Sequence, residues 1–340
     1  MMKAVLDARQ IVHDPKHSLL NGKAIQCREQ PERIDVLHKA AVVAGCEFSV
    51  PSDHGCAPLA AIHSPEYLTF LETIHQRWSR LKDASNEVIP NIHPANRNCS
   101  YPSGPVGQAG YHQADTACPI AAGTWEAAYW SAQTALSAAD LIMEGAKATY
   151  ALCRPPGHHA FGDMAGGFCY LNNAAIAAQY FLHAGFRLAI LDIDVHHGNG
   201  TQGIFYDRDD ILTTSIHGDP ANFYPFFWGH AAERGTGRGL GYNLNIPLPF
   251  GTDDAAFLIA LETALQRISA NGTDILVVSV GLDPHEGDPF EAFKVTTSGF
   301  AKIGAAISAL GLPTLYVQEG GYLQPALGDN LTSFLSGVQG

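Results

Sequence analysis

Short apolar runs and longer amphipathic stretches alternate along most of this chain. Runs at 149–153, 188–195, 210–216, 274–282 and 314–318 have the length and β-branched content of strands. Between them, apolar residues recur at helical spacing over 172–184, closed by Gly185, and over 253–270, with Asp253 as N-cap and Asn271-Gly272 as stop. A further helix is predicted over 298–310, closed by Gly311, and another from Gly123 to about Glu144 with Thr124 as N-cap. Nearer the start, residues 3–6 read as a short strand, and 31–44 and 65–81 as helices. The second of these carries Tyr67, Leu68, Leu71, Ile74 and Trp78 on one face. This is the βαβ rhythm of an α/β fold, a parallel sheet with helices on both faces. With no repeat and no linker, residues 1–340 are expected to form one domain.

Periodicity fails between about 82 and 122. Pro, Gly, Asn and His dominate there, as in Asn91-Ile-His-Pro-Ala-Asn-Arg-Asn and Tyr101-Pro-Ser-Gly-Pro. So long an irregular segment in a compact chain is usually functional or disordered. Tyr101, Tyr111, His112 and Asp115 suggest an ordered cover.

Composition narrows the function classes. The formal net charge of −13 argues against nucleic acid and suits small cationic partners. The seven cysteines (27, 46, 56, 99, 118, 153 and 169) form no CxxC pair and read as reduced thiols. No signal-peptide core and no membrane-length apolar run occur, so a soluble, cytoplasmic chain is expected.

Chemistry collects after the strands. The run 188–195 is interrupted by Asp192 and Asp194 and ended by His196 and His197. If the strand continues through 196, Asp192, Asp194 and His196 point the same way. Two carboxylates buried without a cation cost several kcal/mol, roughly, which favours a metal over a simple polar patch. Gly198 and Gly200 would turn the chain and let backbone approach a ligand. Asp283, ending the apolar run 274–282, completes a set of two carboxylates and one imidazole with an open position. Zn²⁺ fits such a set, with Fe²⁺ the alternative. His158 and His159, adjacent in a Pro-Pro-Gly loop, suit a general base and its electrostatic partner, with Asp192 and Asn199 available to hold the two rings. Tyr322, after Gly-Gly at the last strand's end, could donate to an oxyanion. Gly166-Gly167-Phe168 and Phe223-Tyr224, in turn-rich segments at the same end, could wall a narrow channel. In open α/β sheets such residues meet in a crevice at the strands' carboxyl ends. No GxSxG, Walker or GxGxxG sequence stands in the needed context, which leaves metal-assisted hydrolysis.

Four stretches carry a family resemblance: Arg154-Pro-Pro-Gly-His-His, Gly167-Phe-Cys-Tyr-Leu-Asn-Asn, Asp192-Ile-Asp-Val-His-His-Gly-Asn-Gly-Thr-Gln and Glu319-Gly-Gly-Tyr. With Pro31-Glu-Arg, they resemble the histone deacetylase family, and within it the bacterial acetylpolyamine amidohydrolases. The resemblance implies an arginase–deacetylase fold with an eight-stranded parallel sheet. It implies Zn²⁺ on Asp194, His196 and Asp283, His159 as general base then acid, His158 as its partner, and Tyr322 as the group polarising the substrate carbonyl. Phe168 and Tyr224 match the tunnel walls, and a structural K⁺ matches Asp192, Asp194, His196, Ser215 and Ile216. The segment 82–122 matches an insertion over the tunnel mouth that helps form a homodimer, with Asp115 the candidate contact for a substrate's distal ammonium. The chain departs from the polyamine members at Val106, where they carry an acid, and Asn199 stands where some deacetylases have Asp.

The expected reaction is hydrolysis of an N-acetylated diamine or polyamine, of the acetylputrescine or acetylcadaverine type. A protein acetyl-lysine deacetylase would share the chemistry and differ in access to the tunnel. A binuclear Mn²⁺ ureohydrolase would need a further carboxylate where Gly281 stands. A non-catalytic binder of acetylated ligands would have no reason to keep His158, His159 and Tyr322 together.

Overall fold

The strands whose apolar runs dominate the sequence lie side by side in one sheet. The computed structural model describes residues 1–94, 97 and 100–340. Its strands are β1 (Lys3–Val5), β2 (His17–Leu20), β3 (Lys23–Gln26), β4 (Glu47–Ser49), β5 (Ala148–Ala151), β6 (Leu188–Asp192), β7 (Ile211–Gly218), β8 (Asn243–Leu248), β9 (Ile275–Val280) and β10 (Thr314–Gln318). Eight of them form a parallel sheet in the order β4-β1-β5-β10-β9-β6-β7-β8, while β2 and β3 pair apart as a hairpin.

Alternation along the strands feeds both faces. In β6, Leu188 and Ile190 join one apolar cluster while Ala189 and Leu191 join the other; in β9, Ile275 and Val277 oppose Leu276 and Val278 in the same way. The helices are α1 (Glu32–Val43), α2 (Ala57–Ala60), α3 (Pro65–Trp78), α4 (Pro105–His112), α5 (Thr124–Met143), α6 (Asn173–His183), α7 (Asn199–Phe205), α8 (Asp254–Ala270), α9 (Thr297–Ser308) and α10 (Leu327–Gln339). Helices α1, α8, α9 and α10 cover one face, and α5 and α6 the other. A third cluster gathers α3, α4 and the start of α5 beside the sheet. Among the described residues no helix is long and apolar enough to cross a membrane.

Several expectations need correcting. The strand expected over 188–195 ends at Asp192, because the polar residues beyond it turn toward separate partners. The segment 82–122 is not wholly irregular: α4 lies within it, opened by Gly104-Pro105 and burying Gln108, Ala109 and His112. Its glycines at 107 and 110 dilute the helical signal. Thr124 is not the cap of α5. Gly123 holds that place, and the Thr124 hydroxyl accepts from the Ala121 N–H (2.8 Å) and meets His13 Nδ1 (2.9 Å). Gly198 has φ −72°, and a Cβ there would sit 2.2 Å from Asp192 Oδ2, so the close approach is to a side chain of the protein. Gly200 likewise meets the Ala160 carbonyl. Ala95, Asn96, Asn98 and Cys99, part of the 91–98 run and one of the seven cysteines, lie outside the described residues.

Candidate active site

The direction in which the sheet is wound reverses between β6 and β9. From β6 the connection runs outward to β7, whereas β9 is followed by β10 on the opposite side. The crevice beyond such a switch point is where an open parallel sheet binds ligands. Asp194 and His196 follow β6, Asp283 follows β9, and the residues after β10 close the third side.

Asp194, His196 and Asp283 are all buried, and their ligand atoms lie within 4.8 Å of one another. His196 Nδ1 is 3.1 Å from both Asp194 Oδ1 and Asp283 Oδ2. Backbone donors aim the carboxylates: Gly320 N–H reaches Asp194 Oδ2 (2.8 Å), and Val195 N–H reaches Asp283 Oδ1 (3.0 Å). Glycines make room for this, since a Cβ on Gly320 would fall 2.3 Å from Asp283 Oδ2 and 2.5 Å from Asp194 Oδ2. A Cβ on Gly281 would fall 2.4 Å from the Asp194 Cα, so the further carboxylate of a binuclear site has no space at that position. Burial and the neighbouring Asp194 raise Asp283 to about 6. Burial opposes a charge on His196, yet its two carboxylate partners hold it at about 9. Two buried acids that recruit a proton onto the imidazole between them are short of one positive charge. That deficit, with an N,O donor set and an open side, fits a divalent cation.

Beside this cluster, the ring centroids of His158 and His159 lie 4.0 Å apart. His158 Nδ1 faces Asp192 Oδ2 at 2.8 Å, and His159 Nδ1 faces Asn199 Oδ1 at 2.7 Å. The two rings are driven apart electrostatically. Burial works against a charge on His158, but Asp192 and Asp194 outweigh it and raise the ring to about 10. His159 is pushed well below its ordinary value by burial and then by the charges of His158 and His196. One imidazolium and one neutral imidazole therefore stand side by side. The neutral ring gives its Nδ1 proton to Asn199 and keeps Nε2 free to accept.

Tyr322 is buried and its phenol is held far above its usual range, first by burial, so it stays a donor. Its N–H donates to Asp288 Oδ2 (3.1 Å), and Phe290 N–H donates to Asp288 Oδ1 (3.0 Å). Arg33 holds the segment from the other side, donating to the carbonyls of Gly321 and Glu319 at 2.7 Å each, with its guanidinium 5.0 Å over the Tyr322 ring. Glu319 accepts from the N–H groups of Gly157 (2.6 Å) and His158 (3.1 Å), fixing the histidine loop.

Aromatic rings surround the cluster. Phe223 stacks on His196 at 4.8 Å, Phe290 meets His196 edge-on at 4.6 Å, and Tyr224 stands perpendicular to His159 at 4.9 Å. Phe168 lies 5.7 Å from Tyr322. Asp115 stands at the wall, its carboxylate accepting the Tyr224 hydroxyl at 2.6 Å. Ser215 and Ile216 are buried on β7, and Ser215 pairs with Asp192 in the sheet register. Sequence reasoning missed Arg33, Glu319, Asp288 and Phe290 as parts of the site, whereas Phe223 belongs to the Phe223-Tyr224 segment it read as a channel wall. Asp288 and Phe290 carried a signal, because Asp283-Pro-His-Glu-Gly-Asp-Pro-Phe continues the ligand-bearing loop.

Residues 27–338 match the histone deacetylase domain. The chain belongs to the histone deacetylase family. It is 49% identical over 329 residues to the acetylpolyamine amidohydrolase of Burkholderia pseudomallei, covering 96% of each chain. It is 44% identical over 332 residues to acetylpolyamine amidohydrolase 2 of Pseudomonas aeruginosa, covering 97% of this chain and 96% of that one. The crystal structure of the Burkholderia acetylpolyamine aminohydrolase superposes with a TM-score of 0.96 at 48% identity, over 99% of this chain and 98% of that one. As a member of the histone deacetylase family, the chain is a hydrolytic deacetylase on the arginase–deacetylase fold.

Proposed function

We propose that this deacetylase hydrolyses N-acetylated diamines and polyamines, releasing acetate and the free amine. The observation that carries the reading is the pair of rings, His158 set on Asp192 at 2.8 Å and His159 on Asn199 at 2.7 Å, beside the buried cluster of Asp194, His196 and Asp283. The Burkholderia and Pseudomonas relatives bear the name acetylpolyamine amidohydrolase, which supports the substrate class.

Asp194, His196 and Asp283 would hold Zn²⁺, or Fe²⁺ in its place. Such an ion supplies Lewis-acid polarisation and brings the pKa of its water toward about 7. His159 accepts the proton of the attacking water through Nε2 and later returns it to the leaving amine. Tyr322 donates to the carbonyl oxygen as charge develops there. His158, charged and anchored on Asp192, sets the field in which His159 works, and Asn199 fixes the His159 tautomer. Phe168, Tyr224 and Asp115 line the approach. The same reading assigns a structural K⁺ to Asp192, Asp194, His196, Ser215 and Ile216. It also gives the inserted segment 82–122 to the tunnel mouth and to a homodimer interface, in a cytoplasmic protein whose net charge of −13 attracts a distal ammonium.

Acetate release from acetylputrescine, acetylcadaverine, acetylspermidine and acetyl-lysine peptides, measured with metal content, tests this. The acetylated amines should turn over best. Equal or better turnover of the peptides would make the chain a protein deacetylase instead. Asp194→Asn should lose both metal and activity, and full activity in that variant would reject the ligand set.

A further inference from the structure

Asp115 comes from the inserted segment, yet it is bonded to two tunnel walls built by other parts of the chain. Its Oδ2 accepts the Tyr224 hydroxyl at 2.6 Å and the Gly167 N–H at 3.2 Å, and its Oδ1 accepts the Ala117 N–H at 2.8 Å. Tyr224 belongs to the loop after β7, and Gly167 to the loop after β5. The segment is laced to the Gly167 side by backbone bonds too: Ala114 N–H to Ala165 O (2.7 Å), Ala165 N–H to His112 O (2.8 Å) and Phe168 N–H to Ala117 O (3.1 Å).

Gly167 makes the space for this junction. A Cβ there would lie 2.9 Å from Tyr224 Oη and 2.5 Å from the His159 ring, at a backbone φ of +47° that already favours glycine. Three donors occupy most of the accepting capacity of one carboxylate, and the phenol–carboxylate bond is of the strong, charge-assisted kind. Tyr224 in turn stands edge-on to His159, so the junction reaches the proton-transfer ring.

We propose that Asp115 and the Tyr224 hydroxyl form a clamp that fixes the distance between the Tyr224 and Gly167–Phe168 walls and so selects slim, unbranched acetylated amines. Asp115 is then a positioning residue whose charge is spent on the protein and not on the substrate's distal ammonium. The proposal rests on the deacetylase reading above.

The test compares kcat/KM for an acetylated diamine and for an acetyl-lysine peptide in the metal-loaded wild type, Tyr224→Phe, Asp115→Ala, Asp115→Asn and the Tyr224→Phe/Asp115→Ala double variant. Tyr224→Phe removes one oxygen and no packing. It should cut the preference for the diamine about tenfold, the factor that ~1.4 kcal/mol of positioning represents. Asp115→Ala should match it, the double variant should fall no further than either single one, and Asp115→Asn, which keeps an accepting oxygen, should lose less than Asp115→Ala. Tyr224→Phe with unchanged selectivity would overturn the clamp. So would equal rises in diamine KM for Asp115→Asn and Asp115→Ala that shrink at high salt, the mark of direct contact with an ammonium. A wild type that releases acetate from none of these compounds would remove the deacetylase reading itself, whereas turnover with unaltered selectivity removes the clamp alone.

Discussion

Replacing Asp192 with Asn keeps the shape of the side chain and removes the charge that faces His158. Asp192 Oδ1 already accepts the Asp194 N–H at 3.0 Å, so the single oxygen of the amide is claimed and its NH₂ turns toward His158 Nδ1. His158 must then lose its proton from Nδ1 and accept. In the native protein the ring stands at about 10 against an ordinary 6.5. That displacement is worth about 5 kcal/mol at ~1.36 kcal/mol per pH unit. Asp192 is the strongest of the groups that favour the charge, ahead of Asp194 and Glu319. Giving it about half the total yields roughly 2–3 kcal/mol, or about two orders of magnitude in kcat if the charge is needed throughout the reaction. KM should change little, because His158 lies beneath the tunnel walls. The charge on His158 also helps to keep His159 neutral. Without it the pKa of His159 rises, more of the base is protonated at a given pH, and the acid limb of the pH–rate profile moves to higher pH. The assay is steady-state acetate release across the neutral range, with bound metal measured in the same samples. A kcat within about fivefold of wild type, small on the scale of general acid–base catalysis, together with an unmoved acid limb and unchanged metal would refute the reasoning.

Tyr322→Phe should lower kcat by about 10²–10³ with metal content unchanged, the usual loss for one oxyanion donor; retained kcat would place the phenol outside the reaction. His159→Ala should cost more than His158→Ala, since one ring alone carries the proton, and steady-state rates with the reverse order would exchange their roles. Glu319 is buried and raised from 4.5 to about 7. A raised folded pKa gives stability that is present below about pH 4.5 and lost as pH climbs through about 7, roughly 3 kcal/mol in all. Glu319→Gln should therefore gain Tm over wild type at pH 8 and not at pH 4.5, and parallel Tm profiles would show that the carboxyl titrates in the fold as it does in the unfolded chain.

Much of the site was legible because parallel strands advertise their ends. A buried apolar run that breaks into Asp-Ile-Asp-Val-His-His has no cheap alternative to a ligand, and Asp283 could be read from the same logic one strand away. The fold class followed from alternation, whereas the edges did not. Strand β8 escaped notice because Asn243 and Asn245 are buried and bonded to Gln202, so its inward positions are polar. Helix α4 escaped because glycines interrupt its short repeat. Arg33 and Asp288 act through backbone carbonyls and N–H groups of residues far away in sequence, and no local pattern encodes such partners. The end of β6 at Asp192 shows the limit of period-two reasoning. Once side chains must reach an imidazole, the Asp194–His196–Asp283 cluster and the sheet core in turn, hydrogen-bonding demand overrides the pleat.

The strand order has a consequence for how the chain is made. The fourth and fifth positions of the sheet belong to β10 and β9, the last two strands to leave the ribosome. Until they arrive, β4-β1-β5 and β6-β7-β8 are two separate half-sheets, each with a raw edge of unpaired N–H and C=O groups. Closing them requires β10 to pair with β5, 166 positions away, and β9 with β6, 87 positions away, the kind of contact that folds slowly and leaves apolar surface waiting. Asp283 arrives just after one closing strand and Tyr322 just after the other. A nascent chain therefore carries His158, His159, Asp194 and His196 for some time without the second carboxylate of the cluster and without the phenol. Its chemistry switches on only when the seam between the halves is shut.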